Sequence, residues 1–354
     1  MTFVAAVRSI VEETMATFRV PGVVIAAVRE GRPVERLALG ADATARPLAV
    51  DTLLPVASVT KLATALAVLR LADAGALSVD DPLARHLPEA AAAREGVTLR
   101  TLLSHTSGLP HDLPARAAPY EPGLRWPALA LACTAIPPER PPNTRVQYSN
   151  VGYGLLAVVV ERLTGQPFAT ALASLVLRPL GIEAYLGVEP PRPVAVVADV
   201  RGPEAGTPLE PFNTPFWRGL ALPWAGLVTT ADGALALLRA YRGAPTGFLR
   251  PEMAAEAVRN QTDDLAGGYA PPLLWTRCPW GLGPELRDAK RPHWAPDEAS
   301  PDSFGHAGAS GCVAWSDPTA DVSWVVLGAR TAENGWLVRR GPALGAAILT
   351  TLTA

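Results

Sequence analysis

The residues able to form a sheet lie at the two ends of this chain, and the long stretch between them is patterned for helices. Near the start, Val23 to Val28 is a β-branched run, Glu30-Gly31 interrupts it, and Val34 to Leu39 follows, which reads as a hairpin. Near the end, Cys312 to Ser316 and Val322 to Leu327 flank the turn Asp317-Pro318-Thr319-Ala320-Asp321, a second pair of strands. From Val59 to about Gly165 the apolar spacing is helical: Leu62, Leu66 and Leu69 amid alanines, Asp80-Asp81-Pro82 opening a short helix, then Val151 to Leu163 stopping at Gly165. An amphipathic helix precedes the first hairpin, and another, from about Trp336 to Leu352, closes the chain. The expected fold is therefore α/β of the α+β type, an antiparallel sheet flanked by N- and C-terminal helices with an inserted, mostly helical lobe. The expected domains are 1–57 with 190–354, holding the sheet, and 58–189, helical, with a site between them.

A chain of 354 residues can bury a large core. Its formal net charge is −2, with no basic run or Lys/Arg stripe among aromatics, which excludes a nucleic-acid footprint and points to small molecules. Cys133, Cys278 and Cys312 are widely spaced and include no C-x-x-C, so neither a disulfide framework nor a metal site is expected, and a reducing compartment is. Arg8, Glu12 and Glu13 interrupt the first helix, which therefore does not read as a signal peptide. The longest apolar windows, Leu62 to Leu71 and Val151 to Val160, fall short of the roughly 20 residues that span a bilayer. A cytoplasmic protein that does not bind membranes and needs no cofactor is the expectation.

Of 31 basic residues only two are lysines, and one of them, Lys61, follows Ser58 by three positions at the head of the apolar helical stretch. On a helix that spacing puts hydroxyl and amine on one face. A guanidinium stays protonated, whereas a desolvated amine readily loses its proton. Taken singly, Ser58 could be a helix N-cap and Lys61 a solvated charge, but the stretch stays uncharged until Arg70, which favours a buried amine. Tyr148-Ser149-Asn150 follows a Pro/Asn turn and precedes a helix, in position to project a phenol and an amide. His306-Ala307-Gly308 opens the late strands, and Gly308 there leaves the backbone open to close approach by a substrate. In Leu102 to Leu109, His105 reads as a structural histidine bonding its local turn.

These motifs, S-x-x-K, Y-S-N and H-x-G in that order, resemble the serine β-lactamase and penicillin-binding-protein superfamily, most of all the class C β-lactamases and the family VIII carboxylesterases built on that fold. The resemblance covers nearly the whole chain, including VPGVVIAAVREGRPVERLALG at 20 to 40, LLPVASVTKLATALAVLRLADAG at 53 to 75 and FGHAGASGCVAWSDP at 304 to 318. It implies that Ser58 is a nucleophile forming an acyl-enzyme, that Lys61 and Tyr148 supply the base as a coupled pair, and that the backbone N–H groups of Ser58 and Ala309 hold the oxyanion. Asn150, His306 and Gly308 would contact substrate, Asn150 bonding either the acyl side or Lys61.

Departures from the family sharpen the expectation. Where its lactam-binding members usually carry K-T-G, this chain has H-A-G, so the charge there is conditional on pH and a substrate carboxylate is held less well. No acidic residue stands in a motif like the class A deacylating glutamate. A carboxylesterase acting on short-chain esters is the favoured reading, with a β-lactamase or D-aminoacyl peptidase or amidase as variants and a non-catalytic binding protein as the rival class. An α/β-hydrolase esterase is a further alternative, against which stand the lack of a G-x-S-x-G elbow and the helix-opening S-x-x-K.

Overall fold

The structure, a computed structural model, describes residues 2–354. Six strands, β1 (Gly22–Arg29), β2 (Glu35–Gly40), β3 (Glu285–Leu286), β4 (Phe304–Gly308), β5 (Cys312–Asp317) and β6 (Val322–Gly328), form one sheet in the order β2-β1-β6-β5-β4-β3, antiparallel throughout. The N-terminal strand β1 pairs with the late strand β6, Val23 opposite Gly328 and Arg29 opposite Val322, so the two ends of the chain close the sheet together. The expected antiparallel sheet with terminal helices is what the molecule contains.

Period-two alternation explains why β1 is apolar at nearly every position. Val23, Ile25 and Ala27 pack on one face, with Val313, Trp315, Trp324 and Val326, beneath α1 (Phe3–Phe18) and α5 (Trp336–Thr353). Val24, Ala26 and Val28 pack on the other, with Ala314, Val325 and Leu327. That inner face is covered by α4 (Ala231–Tyr241), and the same apolar core continues through α2 (Thr60–Asp73) to α3 (Asn150–Thr164). Twelve of the fourteen residues of α2 are buried, from Thr60 to Ala72, so this helix is surrounded on all sides. No helix among the described residues is long and apolar enough to cross a membrane.

The start of α3 is tied down locally. Ser149 caps it, its Oγ accepting from the Gly152 amide at 3.0 Å and donating to the Pro110 carbonyl at 2.6 Å. Gly165 ends the helix in the left-handed region at φ 65°. Tyr148 is therefore held one residue before a capped helix start, which limits where its ring can go.

Candidate active site

Ser58 lies in the single 3₁₀ turn Ala57–Val59 that leads into α2, and it is partly exposed where its neighbours are buried. Ala57 is forced to φ 42°, a conformation alanine adopts only under constraint from its surroundings. The strand β4 packs directly against this turn. A Cβ at Gly308 would fall 2.5 Å from the Val56 carbonyl oxygen and 2.6 Å from Cys312 Sγ, so only glycine lets that strand seat against the serine's turn. The glycine thus makes room for the protein's own backbone, and it also lines the cavity at Ser58, where close approach by a substrate was expected. Among the described residues, neither the Ser58 nor the exposed Ala309 amide donates to a backbone carbonyl.

Lys61 is fully buried one turn further on. Its Nζ donates to Asn150 Oδ1 at 2.6 Å and to the Trp224 carbonyl at 2.9 Å, and it lies 3.4 Å from Ser58 Oγ. The Asn150 amide cannot turn round, because its Nδ2 donates to Asp112 Oδ1 at 2.6 Å. Burial holds the amine well below its usual range, and the Asp112 carboxylate opposes this only in part. A neutral amine with both protons given to carbonyl oxygens has its lone pair left for the third direction, toward Ser58.

Tyr148 comes to the same place. Its ring stands 4.6 Å from Lys61 Nζ, and its Oη is buried with no hydrogen-bond partner among the described residues. Burial pushes the phenol well above its usual range, while the approaching Ser58 hydroxyl pulls the other way. Amine and phenol thus shift in opposite directions, both toward the uncharged form.

His306 sits behind this group and not at its mouth. The residue is completely buried, 5.8 Å from the Tyr148 ring and 5.9 Å from that of Trp280, with Nδ1 2.6 Å from the Ala307 carbonyl. Burial lowers its pKa to about 3. The expectation of a charge conditional on pH is therefore corrected: the apolar and aromatic shell keeps this imidazole neutral across the physiological range. His105 is likewise buried, but it bonds a distant segment and not its own turn, its Nδ1 accepting from the Ser149 amide at 3.0 Å.

A cavity of about 260 Å³ opens at Ser58, walled by Tyr148, Tyr269, Trp294, Ala309, Leu337 and others. Asn150 does not line it, being committed to Lys61 and Asp112. A second cavity, of about 320 Å³, is bounded by Asp112 and Trp224, which touch Asn150 and Lys61, and by leucines such as Leu124 and Leu222. Of the loop-region tryptophans that could line an acyl pocket, Trp294 is one that lines the cavity at Ser58. Sequence reasoning missed His111, Asp112 and Tyr269, since none belongs to a motif. It also passed over Lys290, whose rarity carried the same signal as that of Lys61. Among the described residues no group of three or more His, Cys, Asp or Glu comes together as metal ligands.

The chain is similar to known proteins over most of its length. The family model described as Beta-lactamase matches residues 7–346. The chain is 34% identical over 322 residues to Esterase EstB of Burkholderia gladioli, covering 79% of this chain and 78% of that protein. It is 31% identical over 304 residues to Penicillin-binding protein 4 of Amycolatopsis lactamdurans, covering 82% and 75%. The crystal structure of a β-lactamase from Mycobacterium bovis superposes with a TM-score of 0.69 at 27% identity, over 97% of this chain and 100% of that one.

Proposed function

The chain belongs to the β-lactamase family of serine hydrolases, and from that premise we propose that it is a carboxylesterase working through an acyl-enzyme on Ser58. In this reading Lys61, uncharged, takes the proton of Ser58 as the hydroxyl attacks the ester carbonyl. The oxyanion that forms is met by the Ser58 and Ala309 amides, each such donor being worth about 3–4 kcal/mol of barrier. Tyr148, a phenol at neutral pH, hands a proton to the departing alkoxide, and the reverse sequence with water releases the acid.

The group that protonates the leaving oxygen has to stand on the leaving group's side. The alcohol therefore occupies the cavity walled by Tyr148, Tyr269 and Trp294, and the acyl chain points past Asn150 toward the leucine-lined cavity beside Asp112 and Trp224.

The observation that carries the ester reading is His306, neutral and buried where a carboxylate-binding cation would be needed, together with a site cavity lined by no Lys or Arg. The likeness to Esterase EstB supports it. A comparison of p-nitrophenyl butyrate with nitrocefin tests it, alongside labelling by a fluorophosphonate. The expected result is an adduct on Ser58, lost in Ser58→Ala, and a kcat/KM for the ester about two orders of magnitude or more above that for the lactam. A lactam rate equal to or above the ester rate overturns the assignment. The exposed Asp112 carboxylate beside Asn150 favours a second reading, an amidase for acyl groups bearing an ammonium, which faster cleavage of amino-acid amides than of butyrate esters would establish.

A further inference from the structure

Both lysines of this chain are buried, and the one outside the catalytic group lies directly behind the wall of the site cavity. Lys290 Nζ donates to Glu285 Oε1 at 2.9 Å, with both side chains fully shielded from solvent. The same carboxylate accepts at Oε2 from the Tyr269 hydroxyl at 2.9 Å and from Trp294 Nε1 at 3.2 Å, and His293 Nε2 stands 3.4 Å from Oε1. Three donors thus converge on one carboxylate with the His293 ring beside it, and two of the three belong to residues that line the cavity at Ser58.

We propose that Glu285 and Lys290 are a positioning pair that fixes the aromatic wall of Tyr269 and Trp294, and thereby sets which alcohols the site releases. The inference rests on the reading that the alcohol occupies this cavity.

Three observations carry it. First, replacing a buried ion pair by apolar side chains is often neutral or stabilising, so the pair's presence calls for a reason other than stability. Second, the acceptor has to be a carboxylate. An ionised carboxyl offers about four lone-pair sites and no proton, whereas a glutamine at 285 would turn an N–H toward either Tyr269 and Trp294 or Lys290 and His293. Third, the wall is referenced to the catalytic strand. Glu285 lies in β3 opposite Gly305 of β4, the strand that runs on to Ala307–Ala309, and the Tyr269 ring stands 4.4 Å from that of Tyr148.

Lys290 completes the arrangement. Burial alone would raise the Glu285 carboxyl, and Lys290 with His293 reverses this and holds it well below the usual carboxylate range. The lysine is itself anchored, donating to the Pro279 carbonyl at 2.9 Å and standing 4.9 Å from the Trp275 ring and 5.2 Å from the Trp280 ring.

The test compares phenyl acetate with ethyl acetate, which share an acyl group, in the parent, in Glu285→Gln and in the charge-balanced double variant Glu285→Gln, Lys290→Met. The phenyl-to-ethyl ratio of kcat/KM is expected to fall roughly tenfold, chiefly through KM for the phenyl ester, because a loosened wall misplaces the larger alcohol. Tyr269→Phe, which keeps the ring and loses only its bond to Glu285, is expected to move the ratio the same way by a smaller factor. A ratio unchanged in Tyr269→Phe and in whichever 285 variant folds overturns the inference, even where both rates fall together. Fluorophosphonate labelling of the parent separates the two levels: no Ser58 adduct and no ester turnover removes the esterase reading itself, whereas normal labelling with an unresponsive ratio removes only the positioning pair.

Discussion

Lys61 shows how a single residue can be made to do base chemistry by the places its protons go. Two are taken by carbonyl oxygens that cannot rotate away, one held by its Asp112-locked amide and one in the main chain of Trp224. A third proton would have to be carried as a charge on an amine fully shielded from bulk solvent. Lys61→Arg keeps a cation but has no neutral form, and acylation of Ser58 by p-nitrophenyl butyrate, followed by stopped flow, is expected to slow by about 10²–10⁴-fold. The same displacement of the amine leaves a mark on stability. Between its lowered native value and the ordinary value near 10.5, the unfolded chain binds a proton that the native chain does not, so stability contributed through Lys61 rises with pH across that window and levels off above it. Thermal melts of the parent and of Lys61→Met between pH 7 and 10 should therefore show the parent gaining on the variant as pH rises. A difference independent of pH would mean that the amine keeps its proton when folded.

At the level of elements, the site depends on a strand and a turn pressed closer together than side chains normally permit. Gly308→Ala would drive a methyl into the Val56 carbonyl and Cys312 Sγ, prising β4 from the serine's turn and parting the two amides proposed to meet the oxyanion. A loss of about 10²–10³ in kcat is expected, and adding Cys312→Ala should recover part of it by removing one of the two obstructions. The elements themselves were legible in the sequence because their signals are local: apolar runs bounded by turn residues for β1, β5 and β6, helical spacing for α2 and α3, and a Gly stop on α3. So was the meeting of Ser58, Lys61 and Tyr148, since a familiar order of motifs stood behind it. The neutrality of His306, the left-handed Ala57 and the convergence on Glu285 were not. Each is produced by what packs around it from remote positions, and no pattern along the chain records that.

The whole molecule is closed by its two ends, and the last helix serves the fold and the site with different residues. Toward its middle, α5 packs Leu344 and Ile348 against the same cluster as Phe3, Val7 and Val11 of α1, over the outer face of the sheet. Arg340 joins the two helices again, its Nε donating to Thr14 Oγ1 at 3.1 Å and its Nη2 to Glu13 at 2.6 Å. At its beginning, however, α5 lays Leu337 and Val338 along the cavity that opens at Ser58. Leu344 is 1% exposed and Leu337 2%, so truncation of either to alanine removes a comparable amount of buried apolar surface, at a cost of about 2–5 kcal/mol. Denaturant midpoints should accordingly fall to a similar extent in Leu344→Ala and Leu337→Ala. Their kinetics should part company. In Leu337→Ala the cavity enlarges on the side assigned to the alcohol, and kcat/KM is expected to shift toward esters of bulkier alcohols, whereas Leu344→Ala, which does not line the cavity, should scale all esters alike. If both variants reshape the alcohol profile equally, the helix acts on the site through stability and not through the wall it forms.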